Sequence, residues 1–127
     1  MIRTVVVEDN DSIRLLTTLN LEADVPDCSV VGEATDGASG IAMIRDQHAD
    51  IAIIDLHMPG VSGLDLISQV RDLGLDVQLV AYSADEGALQ DSLLAGADAA
   101  VLKNGDIDAL SRIVIDLTTP QPMRREA

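Results

Sequence analysis

Five short apolar runs rich in β-branched residues recur along the chain, Ile2–Val7, Ser29–Ala34, Ile51–Ile54, Val77–Ala81 and Ala99–Leu102. The stretches between them repeat apolar residues at helical spacing, so strand and helix alternate. Val5, Val6 and Val7, like Ile51, Ala52, Ile53 and Ile54, are continuously apolar. A strand covered on both faces needs this pattern, and such strands belong to parallel sheets with helices on both sides. Asn10, Asp11 and Ser12 are candidate N-caps ahead of Leu15, Leu16 and Leu19. Gly37 opens a segment with Ile41 and Ile44 on one face. Gly63 opens another with Leu64, Ile67 and Val70, ending near Gly74. Ala88–Ala95 is closed by Gly96, a natural left-handed cap. The last helix sets Ile107, Leu110, Val114 and Leu117 at a/d spacing. The pattern is five βα units, an α/β doubly wound parallel sheet. Residues 1–117 form one domain, and the polar, Pro-containing stretch 118–127 reads as a flexible tail or the start of an interdomain linker.

Composition narrows what such a domain does. At 127 residues the chain is one domain long, with a single Tyr and neither Phe nor Trp, so its core is built from Val, Ile, Leu and Ala. The lack of aromatics argues against a base-stacking platform. The formal charge of -14 argues against contact with a phosphate backbone, so no nucleic-acid partner is expected for this domain. Cys28, the only cysteine, excludes an intrachain disulfide and reads as a small buried apolar residue. The run at Val5–Val7 meets Glu8 and Asp9 at once, too short for a signal peptide or membrane span. A cytoplasmic location is expected.

In an open α/β sheet, ligands bind beyond the carboxyl ends of the strands. The runs end in Glu8 and Asp9, in Asp55, in Ser83 and in Lys103. Each has a bland reading. Glu8 and Asp9 serve equally as caps of the first helix, Asp55 as the cap of a turn, Ser83 as a helix-entry hydroxyl, and Lys103 as a solvated lysine. Their joint occurrence along one sheet edge points instead to chemistry. Carboxylates within a few ångströms repel unless they share a cation, and hard oxygen ligands without a Cys or His cluster favour Mg²⁺ or Mn²⁺. Such a site suits a phosphoryl group arriving with its metal. Asp55 is then the nucleophile that forms an acyl phosphate, with Lys103 and the Ser83 hydroxyl on the phosphoryl oxygens. In Asp55-Leu56-His57-Met58-Pro59-Gly60-Val61-Ser62-Gly63 a Pro-Gly turn follows the acid. Pro59 pushes Met58 out of helical conformation, leaving backbone carbonyls free to face a metal.

Over residues 2 to 117 the chain resembles the receiver domain of bacterial two-component response regulators. The resemblance rests on the acidic pair Glu8-Asp9, on D-x-x-M-P-G-x-x-G from Asp55 to Gly63, on Ser83-Ala84, and on G-A-D-x-x-x-x-K from Gly96 to Lys103. It implies a flavodoxin-like five-stranded sheet in order 2-1-3-4-5, and phosphorylation of Asp55 by a histidine kinase or phosphotransfer protein. It also implies Mg²⁺ on Glu8, Asp9, Asp55 and the backbone carbonyl of His57. The domain would be a signalling phospho-acceptor and not an enzyme, acting on an effector domain or downstream protein and dimerising through its last helices when phosphorylated.

Three positions depart from the family pattern. Ala100 stands where many receivers carry a Tyr or Phe that swings inward, so that switch is absent; Tyr82 is the only aromatic that could replace it. Asn104 follows the lysine where Pro is common, a pattern of regulators with helix-turn-helix effectors, which suggests transcriptional output. Glu8 replaces the commoner Asp and still reaches a metal, directly or through water. Two competing readings remain. Asp55 to Gly60 also fits D-x-H-x-x-G, a cobalt-ligating motif of cobalamin-binding domains, but without that family's S-x-L or Gly-Gly pair. The other is a pseudo-receiver, a binding module of the same fold that never takes phosphate.

Overall fold

A computed structural model describes residues 1–120. Five βα units follow one another: β1 (Ile2–Val7), α1 (Asp11–Asp24), β2 (Cys28–Ala34), α2 (Gly37–Asp46), β3 (Ile51–Asp55), α3 (Gly63–Asp72), β4 (Gln78–Ser83), α4 (Glu86–Ala95), β5 (Ala99–Leu102) and α5 (Ile107–Thr118). All strand pairs are parallel, in the order β2-β1-β3-β4-β5. The expected flavodoxin-like doubly wound sheet is therefore observed. The helix α5 continues to Thr118, one residue into the expected tail, and residues 121–127 of that tail lie outside the described residues.

The continuous apolar runs of β1 and β3 pack on both faces, as their lack of alternation requires. Val5, Val7, Ala52, Ile54, Leu79 and Ala81 face α2, α3 and α4, meeting Ile44, Leu66, Ile67, Val70 and Leu89. Val6, Ile51, Ile53, Val80 and Val101 face α1 and α5, meeting Leu21, Val25, Leu110 and Val114. The buried residues of both layers are aliphatic, and Tyr82 packs against the α1–α5 layer from a partly buried position. Cys28 is only partly buried, and its Sγ lies 3.3 Å from Thr4 Oγ1 in β1; burial pushes its thiol pKa up.

The helix starts set where the strand ends point. Asn10, of the three candidates, caps α1 by accepting from the Ile13 N–H at 3.0 Å. Asp36, Ser62, Asp85 and Asp106 cap the remaining helices. Arg71 pins α3 to the far end of the sheet, donating to the carbonyls of Gly96 and Val77 and to Asp98 Oδ2. Asp98 in turn accepts from the Leu79 N–H at 2.7 Å, which gives the acid of the Gly-Ala-Asp triplet a structural role.

Candidate functional site

The strand order reverses between β1 and β3, and the carboxyl ends of these strands place Glu8, Asp9 and Asp55 together. One oxygen from each of the three carboxylates lies within 4.8 Å of the others. Capping of α1 falls to Asn10, so Glu8 and Asp9 are free of that task. Glu8 is 3% exposed and Asp55 7%, whereas Asp9 is open to solvent. The Glu8 carboxylate accepts from the Asn10 N–H at 3.2 Å, and Arg14 holds the same turn by donating to the Glu8 carbonyl at 3.0 Å. Asp55 accepts from the His57 N–H at 3.2 Å, so it does tie its own turn while remaining at the strand end.

Gly63 explains the spacing that follows Asp55. A Cβ there would lie 2.2 Å from the Asp55 carbonyl oxygen and 2.6 Å from Leu56 Cα, so only glycine lets α3 begin against the end of β3. Gly60 has φ +75° in open space, where glycine removes backbone strain at the turn.

Lys103 enters from β5. Its N–H donates to the Ser83 carbonyl at 2.8 Å, which extends the β4–β5 ladder and aims the side chain inward. Its Nζ lies 2.6 Å from Glu8 Oε1 and 3.5 Å from Asp55 Oδ1, so the solvated-lysine reading is excluded. The same ammonium sits 5.2 Å from the centroid of the Tyr82 ring. Ser83 is buried at the end of β4, one residue beyond Tyr82, the partner of Asp55 in the ladder. Its Oγ accepts from the Asp85 N–H at 3.1 Å, the helix-entry contact.

Burial, the largest influence, and the neighbouring Asp55 push the Glu8 pKa up while Lys103 and the Asn10 N–H pull it down, and the net result is a rise from 4.5 to about 7. One lysine does not offset three acids. An oxygen-only donor set with unrelieved repulsion fits a hard divalent cation.

Ala100 and Tyr82 lie on opposite faces of the sheet. Ala100 packs on the α2–α3–α4 side and Tyr82 on the α1–α5 side. Tyr82 therefore does not occupy the space that Ala100 leaves.

One contact at the site escaped sequence reasoning. His57 Nε2 lies 3.0 Å from Asp85 Oδ2, joining the loop after β3 to the loop after β4. Nothing in the spacing of two exposed residues, 28 apart, signals this pairing. The same bond occupies the imidazole that the cobalamin-type reading would offer to cobalt.

Fold and site together define a receiver-type domain: a doubly wound sheet whose strand ends gather three acids, a hydroxyl and a lysine. The sequence profile of the response regulator receiver domain matches residues 4–115, and the chain belongs to that family. It is 28% identical over 126 residues to the nitrate/nitrite response regulator protein NarL of Escherichia coli strain K12, covering 98% of this chain and 58% of that protein. It is 34% identical over 121 residues to the DNA-binding transcriptional activator DevR/DosR of Mycobacterium tuberculosis, covering 92% and 54%. The chain thus spans about half the length of these curated relatives. The signal receiver domain of the response regulator NarL from Mycobacterium tuberculosis superposes with a TM-score of 0.84 at 29% identity, covering 91% of this chain and 94% of that one. A LuxR-family DNA-binding response regulator from Staphylococcus aureus, 19% identical, shares the fold with a TM-score of 0.86, covering 92% and 98%. Among the described residues no helix is long and apolar enough to cross a membrane.

Proposed function

We propose that residues 1–117 are a phospho-acceptor receiver in which Asp55 takes a phosphoryl group from a histidine kinase or phosphotransfer protein. The observation that carries this reading is the placement of Lys103 Nζ between Glu8 and Asp55, beside three carboxylates at the sheet's switch point. An Asp55 oxygen attacks phosphorus, a P–O bond forms and the donor P–N bond breaks. The electron pair returns to the imidazole nitrogen, which takes up a proton. The product is an acyl phosphate.

Glu8, Asp9, Asp55 and the His57 carbonyl would hold Mg²⁺ or Mn²⁺, which when bound neutralises charge on the phosphoryl oxygens. Lys103 shifts from the carboxylates to a second phosphoryl oxygen, and the Ser83 hydroxyl turns to donate to a third. Burial of Asp55 and Ser83 limits the approach of water. The domain works as a signalling switch and not by enzymatic turnover on a separate substrate. It acts in the cytoplasm on an effector domain joined through residues 118–127 or on a downstream protein, with homodimerisation as one output. The regulators named above favour transcriptional control, while the charge of -14 keeps this domain itself off nucleic acid.

Incubation with Mg²⁺ and acetyl phosphate followed by intact mass measurement tests the reading. An adduct of one phosphoryl group that is lost in Asp55→Asn supports it. An unmodified wild-type protein favours a non-phosphorylated binding module.

A further inference from the structure

Ala100 removes the usual aromatic, and Tyr82 lies on the wrong face to replace it, so a signal from Asp55 must leave the site by another route. One chain of hydrogen bonds leads out. Asp55 Oδ1 accepts from the His57 N–H, and His57 Nε2 bonds Asp85 Oδ2. Asp85 then makes two further contacts: its N–H donates to Ser83 Oγ, and its Oδ1 accepts from the Ala88 N–H as the N-cap of α4. The circuit joins the acceptor, the site hydroxyl and the first turn of a helix whose Leu93 and Leu94 are exposed.

We propose that the His57–Asp85 hydrogen bond is a latch that holds the start of α4 in its resting position and is released when Asp55 is phosphorylated. The inference rests on the receiver reading above. The phosphoryl group acts on both ends of the latch. On the His57 side, the carboxylate that accepted the His57 N–H becomes an acyl phosphate, a weaker acceptor. On the Asp85 side, the Ser83 hydroxyl turns toward a phosphoryl oxygen and gives up the Asp85 N–H. The latch itself is solvent-exposed, with side chains 65% and 50% accessible, and exposed pairs of this kind are weak enough to be broken by such a change. Asp85 then has one partner fewer, and the α4 cap loosens.

The test compares wild type, His57→Ala and Asp85→Ser by amide hydrogen exchange at Ala88 and Leu89, with Mg²⁺ present and with or without acetyl phosphate. His57→Ala keeps the backbone N–H and carbonyl, and Asp85→Ser keeps a capping oxygen but removes the one that His57 meets. Intact mass reports the adduct in each sample. Phosphorylation is expected to speed exchange in the wild type by roughly threefold or more. Both variants are expected to exchange at that faster rate before any phosphate arrives, with little further change. An adduct on wild type with no change at Ala88, or variants that exchange as slowly as resting wild type, overturns the latch while leaving the receiver reading intact. Absence of any adduct on wild type overturns the receiver reading and the latch with it.

Discussion

Lys103 Nζ and Glu8 Oε1 meet at 2.6 Å across 95 residues of sequence, and this contact joins the first and last strands' chemistry into one site. Both side chains are largely withdrawn from solvent, at 17% and 4% exposure. The lysine is thus a counter-charge to Glu8 in this structure, whatever it contributes to the proposed phosphoryl transfer.

Removing it has a cost. Breaking a buried pair leaves an uncompensated charge and typically costs ~3–5 kcal/mol, though Glu8 can relieve part of this by taking up a proton. Lys103→Ala is therefore expected to lose on the order of 2 kcal/mol in urea denaturation without metal, with part of the loss recovered on adding Mg²⁺. A variant as stable as wild type would show that the contact contributes nothing.

The Glu8 carboxyl, raised from an ordinary 4.5 to about 7, would make the proposed metal binding pH-dependent. The folded metal-free protein holds this proton more tightly than the unfolded chain. Its stabilising contribution is present below 4.5 and is lost as pH rises toward 7. A divalent cation requires the ionised form, so Mg²⁺ affinity is expected to rise about tenfold per pH unit below 7 and to level off above it. Calorimetric titration across this range reads the slope, and a flat profile would contradict it.

Gly63 and Gly60 separate two effects in one loop. In Gly63→Ala the new methyl is driven into the Asp55 carbonyl, which is expected to cost roughly 2 kcal/mol by overpacking and to slow adduct formation. Gly60→Ala meets open space and pays only left-handed strain, about 1 kcal/mol, with adduct formation near the wild-type rate. Denaturation midpoints and adduct kinetics on both variants decide between loop strain and site geometry.

Tyr82 is the only tyrosine and the chain has no tryptophan, so its fluorescence reports on one ring. Movement of Lys103 from Glu8 to a phosphoryl group is expected to alter that signal, because the ammonium now lies 5.2 Å from the ring centroid. Tyr82→Leu is nevertheless expected to be phosphorylated within about tenfold of the wild-type rate, since a single cation–π contact contributes only about 1 kcal/mol. A complete loss of phosphorylation would assign the ring a larger part.

The strands were legible in the sequence because β1 and β3 are covered on both faces, and continuous runs such as Val5–Val7 have no other good use in a chain of this length. The acidic pair, Asp55, Ser83 and Lys103 were legible because a parallel sheet sends every strand end to one edge. The boundaries were less so: β4 runs on through Tyr82 to Ser83 because it pairs with β5, a contact remote in sequence. The shift of register between Thr4 and Val5, the Arg71–Asp98 pin and the His57–Asp85 bond also depend on tertiary proximity of residues whose types are ordinary at the surface. The same holds for Glu8, whose pKa is raised chiefly by burial and also by the neighbouring Asp55.

The most direct measurement of the central claim is to locate the phosphoryl group. Treatment with acetyl phosphate and Mg²⁺, reduction with borohydride and peptide mass analysis convert an aspartyl phosphate into homoserine at its own position. Homoserine at Asp55 alone, absent when Mg²⁺ is withheld, is the expected result. Conversion at another acid, or none at any, would contradict the account.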